Sequence, residues 1–171
     1  MRRTFFILLC LLTFGALATS SFSQGKTEHI SIAGHFAIAL PADTTAEREM
    51  VKNPDIAGGM QYFWQAPEGK FFVTYYDLAK KSANPKGEVA GLATSFINDQ
   101  TKKGGKLQQK KEITLDSSPG MEVRVALASG ETSVIRYYLV KDRMFAISTV
   151  IAKDDAGDKQ TKILDSFRLT N

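Results

Sequence analysis

The sequence predicts an α+β fold in which an antiparallel β-sheet, built as a meander, is flanked by two or more helices. Beyond residue 28, apolar residues alternate mostly with a period of two, which is the pattern of half-buried strands. The links between these strands are too short for the crossovers that parallel neighbours need. Two other segments carry the period of amphipathic helices, so we expect helices and sheet to share one core.

The predicted strands follow one another with short turns between them. In HISIAGHFAIALP, residues 29–41, alternating aliphatic side chains turn near Gly34 and stop at Pro41, as expected for a hairpin. A second hairpin pairs GMQYFWQ with KFFVTYYDL through a turn that contains Pro67 and Gly69. Four further strands are predicted in KLQQKKEITL, MEVRVAL, TSVIRYYLV and RMFAISTVIA, residues 106–115, 121–127, 132–140 and 143–152.

Two helices are predicted between and after these strands. The first covers residues 88–102, with Asn84 and Pro85 suited to its start and two glycines after its end. The second covers residues 154–167 and opens with two aspartates, which the helix dipole favours there. The apolar faces consist of Val89, Leu92, Ala93, Phe96 and Ile97 in the first helix and Ile163, Leu164 and Phe167 in the second.

Residues 1–23 have the three parts of a signal peptide. Two arginines precede an apolar run from Phe5 to Ala18, and small residues follow up to Ser23. We expect cleavage before Gln24, with a cut before Thr19 as the alternative. The two arginines leave both the general and the twin-arginine export routes open. The predicted organisation is a leader, residues 1–23, and one domain, residues 24–171, located in the periplasm or secreted, with no membrane span after cleavage.

Cleavage changes the chemistry that the chain can perform. The single cysteine, Cys10, lies in the leader, so the mature chain has no disulfide, thiol nucleophile or cysteine ligand for a metal. Removing the two leader arginines from 22 basic residues leaves 20 against 18 acidic ones, a net charge of +2. This balance predicts no nucleic-acid partner.

The most catalytic-looking segment is LDSSPGMEV, residues 115–123. Asp, Ser, Pro and Gly are turn residues, so we expect Asp116 to Gly120 to reverse the chain between two strands. No nucleophile elbow surrounds Ser117 or Ser118, and the only histidines are distant in sequence. Those two imidazoles, His29 and His35, are too few for a catalytic zinc site. We therefore predict no catalytic residue, no metal, no cofactor and no enzyme activity.

The hairpin of residues 60–76 holds seven of the 17 aromatic residues. Alternation places aromatic side chains on both faces of each strand, which is unusual for a sheet with one solvated face. Either other elements cover both faces and the rings are core, or one face is a contact surface. For the second alternative the candidate binding residues are Tyr62, Trp64, Tyr75 and Tyr76.

Several segments in order resemble PsbP-like domains. HFAIALP is similar to their opening strand, and SPGMEVRV, RYYLVKDRMFAIS and ILDSFRL are similar to their later strands and closing helix. The resemblance spans about residues 29–169. It implies an α/β/α sandwich of the kind found in extrinsic photosystem accessory proteins and in exported DcrB-type proteins. It supplies no catalytic signature.

These observations favour an exported, non-enzymatic accessory or binding module. We expect it to be monomeric, with a protein partner in the cell envelope. A carrier of a small molecule or lipid in an aromatic groove is the first alternative. A hydrolase whose residues converge from distant segments, such as Ser117 or Ser118 with a histidine, is the second.

Overall fold

The computed structural model describes residues 25–42, 44–50 and 56–170. The predicted leader, with Cys10 and both candidate cleavage positions, lies outside the described residues. The described chain forms two antiparallel sheets and two helices, which confirms the predicted α+β class. Its elements are β1 Lys26–Ser31, β2 Phe36–Pro41, β3 Thr45–Met50, β4 Ile56–Ala66, β5 Gly69–Leu78, α1 Pro85–Lys102, β6 Lys106–Leu115, β7 Ser118–Ala126, β8 Thr132–Val140, β9 Arg143–Ile151, α2 Asp158–Asp165 and β10 Arg168–Leu169.

The larger sheet has seven strands in the order β3–β4–β5–β9–β8–β7–β6. All neighbours are antiparallel. The predicted meander is present in two parts, β3–β4–β5 and β6–β7–β8–β9, which join where β9 pairs with β5. The sequence pattern does not reveal β3, because TAEREM is charged and lacks apolar alternation.

A second, three-stranded sheet of order β1–β2–β10 lies against one face of the large sheet, which we call the inner face. Strand β2 buries Phe36, Ile38 and Leu40 in the core between the two sheets. Helix α2 packs in the same layer, against β2 and β9. The hairpin of residues 29–41, expected as part of one sheet, thus belongs to a separate layer because β2 pairs with β1 and β10.

Helix α1 covers part of the opposite, outer face. It packs on β6, β7 and β8 and buries Val89 and Ala93 in a second core cluster. Its predicted start is confirmed: the Asn84 side chain accepts a hydrogen bond from the Gly87 N–H at 3.0 Å, and Pro85 is the first helical residue. That bond satisfies one of the donors that a helix start leaves unpaired.

Helix α2 is shorter than the sequence predicts. It begins at Asp158, because Gly157 has a φ of 78° and cannot continue a right-handed helix. Asp155, expected in the first turn, instead accepts a hydrogen bond from the Gly157 N–H at 2.8 Å. A side chain at Gly157 would also approach the Ile151 Cδ1 atom to within 2.5 Å, so the end of that side chain would have to shift.

The turn between β6 and β7 is tighter than predicted. Only Asp116 and Ser117 lie between the strands, with φ values of 45° and 69°, as in the type I′ turns that match strand twist. Strand β7 therefore begins at Ser118 rather than Met121. Pro119 is tolerated because the pairing of β7 with β8 begins one residue later, at Gly120.

Candidate functional site

The four aromatic residues proposed from the sequence divide between the two faces of the large sheet. Tyr62, Trp64 and Tyr75 enter the inner core and are 7%, 1% and 6% exposed. Tyr76 lies on the outer face, half-buried, where burial and the nearby Glu88 carboxylate raise the pKa of its phenol. The first three rings are therefore core, and Tyr76 packs at the edge of the cluster beneath α1.

The burial of these rings follows from the layer formed by β1 and β2. The Tyr62 and Trp64 rings stack with centroids 5.5 Å apart, and the His29 ring meets the Trp64 ring edge-on at 5.0 Å. The Tyr62 hydroxyl also forms a 2.8 Å hydrogen bond with the Ser31 hydroxyl. Aromatic pairs of this geometry stabilise a core beyond the area they bury.

One of these core residues is titratable. His29 Nε2 is buried and has no hydrogen-bond partner among the described residues. Loss of hydration on burial lowers the pKa of this imidazole. At neutral pH the ring is therefore held as a neutral part of the aromatic core.

The outer face of the hairpin carries a second aromatic pair. Phe63 and Phe72 are opposite each other on β4 and β5, with ring centroids 4.9 Å apart. Both are half-buried and border a groove of about 340 Å³. We call the residues of this surface the outer patch: Glu47, Glu49, Gln61, Phe63, Lys70 and Phe72.

The outer patch lies beyond the reach of the helix on this face. Helix α1 packs on β6, β7 and β8, whereas the patch belongs to β3, β4 and β5. The other described helix, α2, is on the inner side. Within residues 25–42, 44–50 and 56–170, no further helix is present to cover the Phe63–Phe72 pair. An apolar pair on an uncovered sheet face is a feature of contact surfaces.

Charged residues border this apolar centre on the β3 side. Glu47 lies opposite Phe63 and Glu49 opposite Gln61, so both carboxylates share the outer face. Lys70 supplies one positive charge at the start of β5. Arg48 also borders the groove, but it lies opposite the buried Tyr62 and so starts from the other face of the edge strand.

A second concave region lies where the two sheets meet at one end, and we call it the inter-sheet cleft. It has a volume of about 540 Å³. Arg143 Nε and Nη2 donate to the two oxygens of Asp77 at 2.6 and 2.9 Å, and Nη1 donates to the Ala33 carbonyl at 2.8 Å. The hydrogen bond and charge of Arg143 lower the pKa of Asp77. The cleft lining also includes His35, Lys141, Leu169 and Thr170.

The Arg143 contacts in this cleft hold two distant segments of the chain together. The guanidinium of Arg143 joins Asp77, at the end of β5, to Ala33 in the turn after β1. Its central carbon, Cζ, lies 4.9 Å from the centre of the Tyr75 ring. His35 and Lys141 on the cleft wall have positive φ values of 54° and 57°, a conformation that costs energy in residues other than glycine. The cleft combines polar groups from four segments that are distant in sequence: His35, Asp77, residues 141–143 and Thr170.

A buried charge network on the inner face was not found by sequence reasoning. Glu122 is fully buried and accepts hydrogen bonds from Arg136 at 2.7 Å and Arg124 at 3.3 Å, while Lys111 lies 3.4 Å away. Burial acts to raise the pKa of Glu122, but these cations hold it below its usual value. Arg136 also donates to Asp165 at 2.7 Å, which ties α2 to the sheet. The sequence contained a signal for this network, because Glu122, Arg124 and Arg136 stand at inward positions of otherwise apolar strands.

The residues considered for catalysis belong to different elements of the fold. Ser117 is exposed in the β6–β7 turn and Ser118 begins β7. His29 is in the aromatic core and His35 is on the cleft wall. Within the described ranges, no group of three His, Cys, Asp or Glu side chains is arranged to hold a metal ion. No helix formed by the described residues is long and apolar enough to cross a membrane.

The architecture is that of the PsbP-like fold, as the resemblance in the sequence implied. Cyanobacterial PsbP from Synechocystis sp. PCC 6803 matches with a TM-score of 0.64 over 88% of this chain and 95% of that chain, at 8% sequence identity. A Bacteroides thetaiotaomicron protein matches with a TM-score of 0.54 over 86% of this chain at 12% identity, and the match covers only 49% of that longer protein. No protein-family model matches the chain, and no curated protein matches its sequence. At such identities the likeness defines the fold and not the activity.

Proposed function

We propose that the protein is an exported, non-enzymatic accessory domain that binds another protein of the cell envelope through the outer patch. The observation that carries this proposal is the Phe63–Phe72 pair on a sheet face left uncovered by the described helices. Its apolar centre and charged border match the general anatomy of protein contact surfaces. Because Tyr62, Trp64 and Tyr75 are buried and Tyr76 packs against the cluster beneath α1, the proposed contact surface is the Phe63–Phe72 pair.

Site-specific photo-crosslinking in cells that naturally make the protein tests this proposal. A crosslinking residue placed at Lys70, which is exposed on the patch, should give a covalent adduct with a discrete partner. The adduct should disappear in the Phe63→Ser/Phe72→Ser variant, because the apolar centre is lost. A crosslinker at Ile32, 85% exposed on the β1–β2 turn, is the matched control and should give no such adduct. Equal adducts at both positions would refute patch-specific binding.

Export is part of the same proposal and has its own test. The amino terminus of the protein recovered from the envelope or the medium should be Gln24, or Thr19 if the alternative site is used. Recovery of the protein with Met1 intact would contradict export with cleavage.

The inter-sheet cleft supports a second candidate, a carrier of a small molecule. The supporting observation is the convergence of Arg143, His35 and Thr170 on a cavity of about 540 Å³, a size typical of small-molecule sites. A compound that copurifies with the native protein, but not with a Leu169→Trp variant that fills the cleft, would favour this function over protein binding.

A further inference from the structure

We propose that the element bound by the outer patch is an amphipathic helix of the partner protein, with Lys or Arg residues along the side that faces β3. This inference rests on the proposed protein binding at the patch. Three properties of the surface carry it: its width, the sizes of its side chains and the distribution of its charges.

The width of the uncovered surface suits one helix. Helix α1 packs on β6, β7 and β8, and the cluster beneath it also takes in Met144 of β9 and, at its edge, Tyr76 of β5. The outer face that stays open around Phe63 and Phe72 is therefore formed by β3, β4 and the Phe72 end of β5. Neighbouring strands are about 4.8 Å apart, so these three span roughly 10 Å between their outer axes. A helix with its side chains is about 10–12 Å across. A helix beside α1 would therefore complete the outer layer of the sandwich.

The sizes of the side chains on this surface allow a helix to approach the sheet closely. Thr74, Ala146 and Ser148 share the outer face with Phe72 and are all half-buried. Ser148 lies opposite Phe72, and Thr74 lies opposite Ala146, which packs at the edge of the cluster beneath α1. The two rings thus form a ridge beside a lower strip, and apolar side chains on one helix face can pack against both.

The charges on this surface indicate which charge the partner helix should carry on the side that faces β3. Glu47 and Glu49 are both exposed on the outer face of the edge strand. Arg48, between them, starts from the opposite face, and Lys70 is the one base of the patch on the outer face. A helix along β4 and β5 would therefore meet two carboxylates on its β3 side. Basic residues there would gain attraction, and acidic residues would be repelled.

Three synthetic helices of about 18 residues, five turns, serve as probes. The first has a leucine face and lysines, the second has the same leucine face with glutamates, and the third has the composition of the first in shuffled order. Fluorescence anisotropy of labelled peptides measures their binding to the mature protein. The lysine helix should bind at least about tenfold more tightly than either of the others.

Variants of the patch separate this inference from non-specific attraction. Phe63→Ser/Phe72→Ser should weaken binding of the lysine helix at least about tenfold, whereas Ile32→Ser should leave it unchanged. Glu47→Lys/Glu49→Lys changes two exposed side chains and should reverse the preference toward the glutamate helix. Asp99→Lys/Glu112→Lys is the control of equal charge change, on α1 and β6. It should preserve the preference for lysine.

The outcomes distinguish the two proposals. The helix inference would be overturned if neither patch variant changed the affinity of the lysine helix. It would also be overturned if Asp99→Lys/Glu112→Lys reversed the preference as much as Glu47→Lys/Glu49→Lys does. If crosslinking in cells depends on the patch but no helical probe binds, the helix inference is wrong and the proposal of protein binding stands. Loss of patch dependence in both experiments would remove both.

Discussion

At the scale of single residues, His29 is the group whose state depends most on its surroundings. Its imidazole extends from β1 and lies against the rings of Phe36, Tyr62 and Trp64. The Nε2 atom has no described hydrogen-bond partner. Protonation would place a positive charge in this poorly hydrated position, and the folded protein therefore resists it.

We expect stability to fall as the pH is lowered from about 6.5, the ordinary pKa of histidine. The unfolded chain protonates His29 at that pH, while the folded chain, with its lowered pKa, takes up the proton only at lower pH. Between the two pKa values the unfolded state binds more protons, so stability decreases there and levels off below the folded value. Urea unfolding at a series of pH values, followed by the emission of Trp64, measures this loss.

Two variants assign the effect to the correct histidine. His29→Leu should remove the loss of stability between pH 6.5 and the folded pKa. His35→Asn keeps a residue that tolerates the positive φ of this position, and it should retain the loss. Trp64 fluorescence of the folded protein should also be quenched on acidification, because its ring lies 5.0 Å from that of His29. An unchanged pH profile in His29→Leu would contradict this account.

At the scale of elements, α1 shows how local signals can define a whole helix. Its start, its end and its apolar face are all readable from sequence, because capping and periodicity act within a few residues. The observed helix extends from Pro85 to Lys102, and Gly104, with a φ of 87°, follows its end. In α2 the local signal is weaker, since Gly157 interrupts the pattern and delays the start of the helix.

Replacement of the α1 cap should cost measurable stability. Asn84→Ala removes the hydrogen bond to the Gly87 N–H and should lower the free energy of unfolding by about 1 kcal/mol. Ser95→Ala, an exposed position inside the same helix, is the control and should change stability little, since alanine favours helix. Chemical denaturation of both variants measures the difference. Equal stability of Asn84→Ala and the unchanged protein would show that the cap is energetically silent.

At the scale of the whole molecule, Arg143 connects the layers. It bonds both oxygens of Asp77 in the large sheet and the carbonyl of Ala33 beside the small sheet. A second arginine–carboxylate pair, Arg168 with Glu28, also involves the small sheet, but both of its side chains are about half exposed, at 53% and 45%. Solvent screening makes exposed pairs of this kind weak.

Arg143→Lys should therefore destabilise the protein more than Arg168→Lys does. Lysine cannot reproduce the planar, two-point contact with Asp77 and the bond to Ala33 at once. Charge-assisted hydrogen bonds contribute about 1.5–3 kcal/mol, and because the Asp77 side chain is itself 41% exposed, solvent screening should bring the loss toward the lower end of that range. Urea midpoints of the two variants, read from Trp64 emission, provide the comparison. An equal shift in both would show that the bond between the layers does not depend on guanidinium geometry.

The sequence by itself determined the elements of this protein: most strands through their period of two, α1 through its apolar face and caps, and the hairpins through their turn residues. Short-range interactions suffice for these features. It also showed that the hairpin of β4 and β5 is aromatic on both faces, but alternation alone is symmetric and cannot say which face another layer covers. Strand β3, whose charged sequence carries no period, depends for its recognition on pairing with β4.

Tertiary structure decided which aromatic face is core and which is open. The small sheet, joined by residues as distant as Phe36 and Leu169, covers Tyr62, Trp64 and Tyr75. The outer layer ends at α1 and leaves Phe63 and Phe72 uncovered by the described helices. The buried acid Glu122 and the cleft at Arg143 likewise depend on groups far apart in the chain. Burial and convergence arise from the packing of whole layers, which is a non-local property. Alternation could therefore place Glu122 at an inward position, but it could not show which distant groups surround it or which face another layer covers.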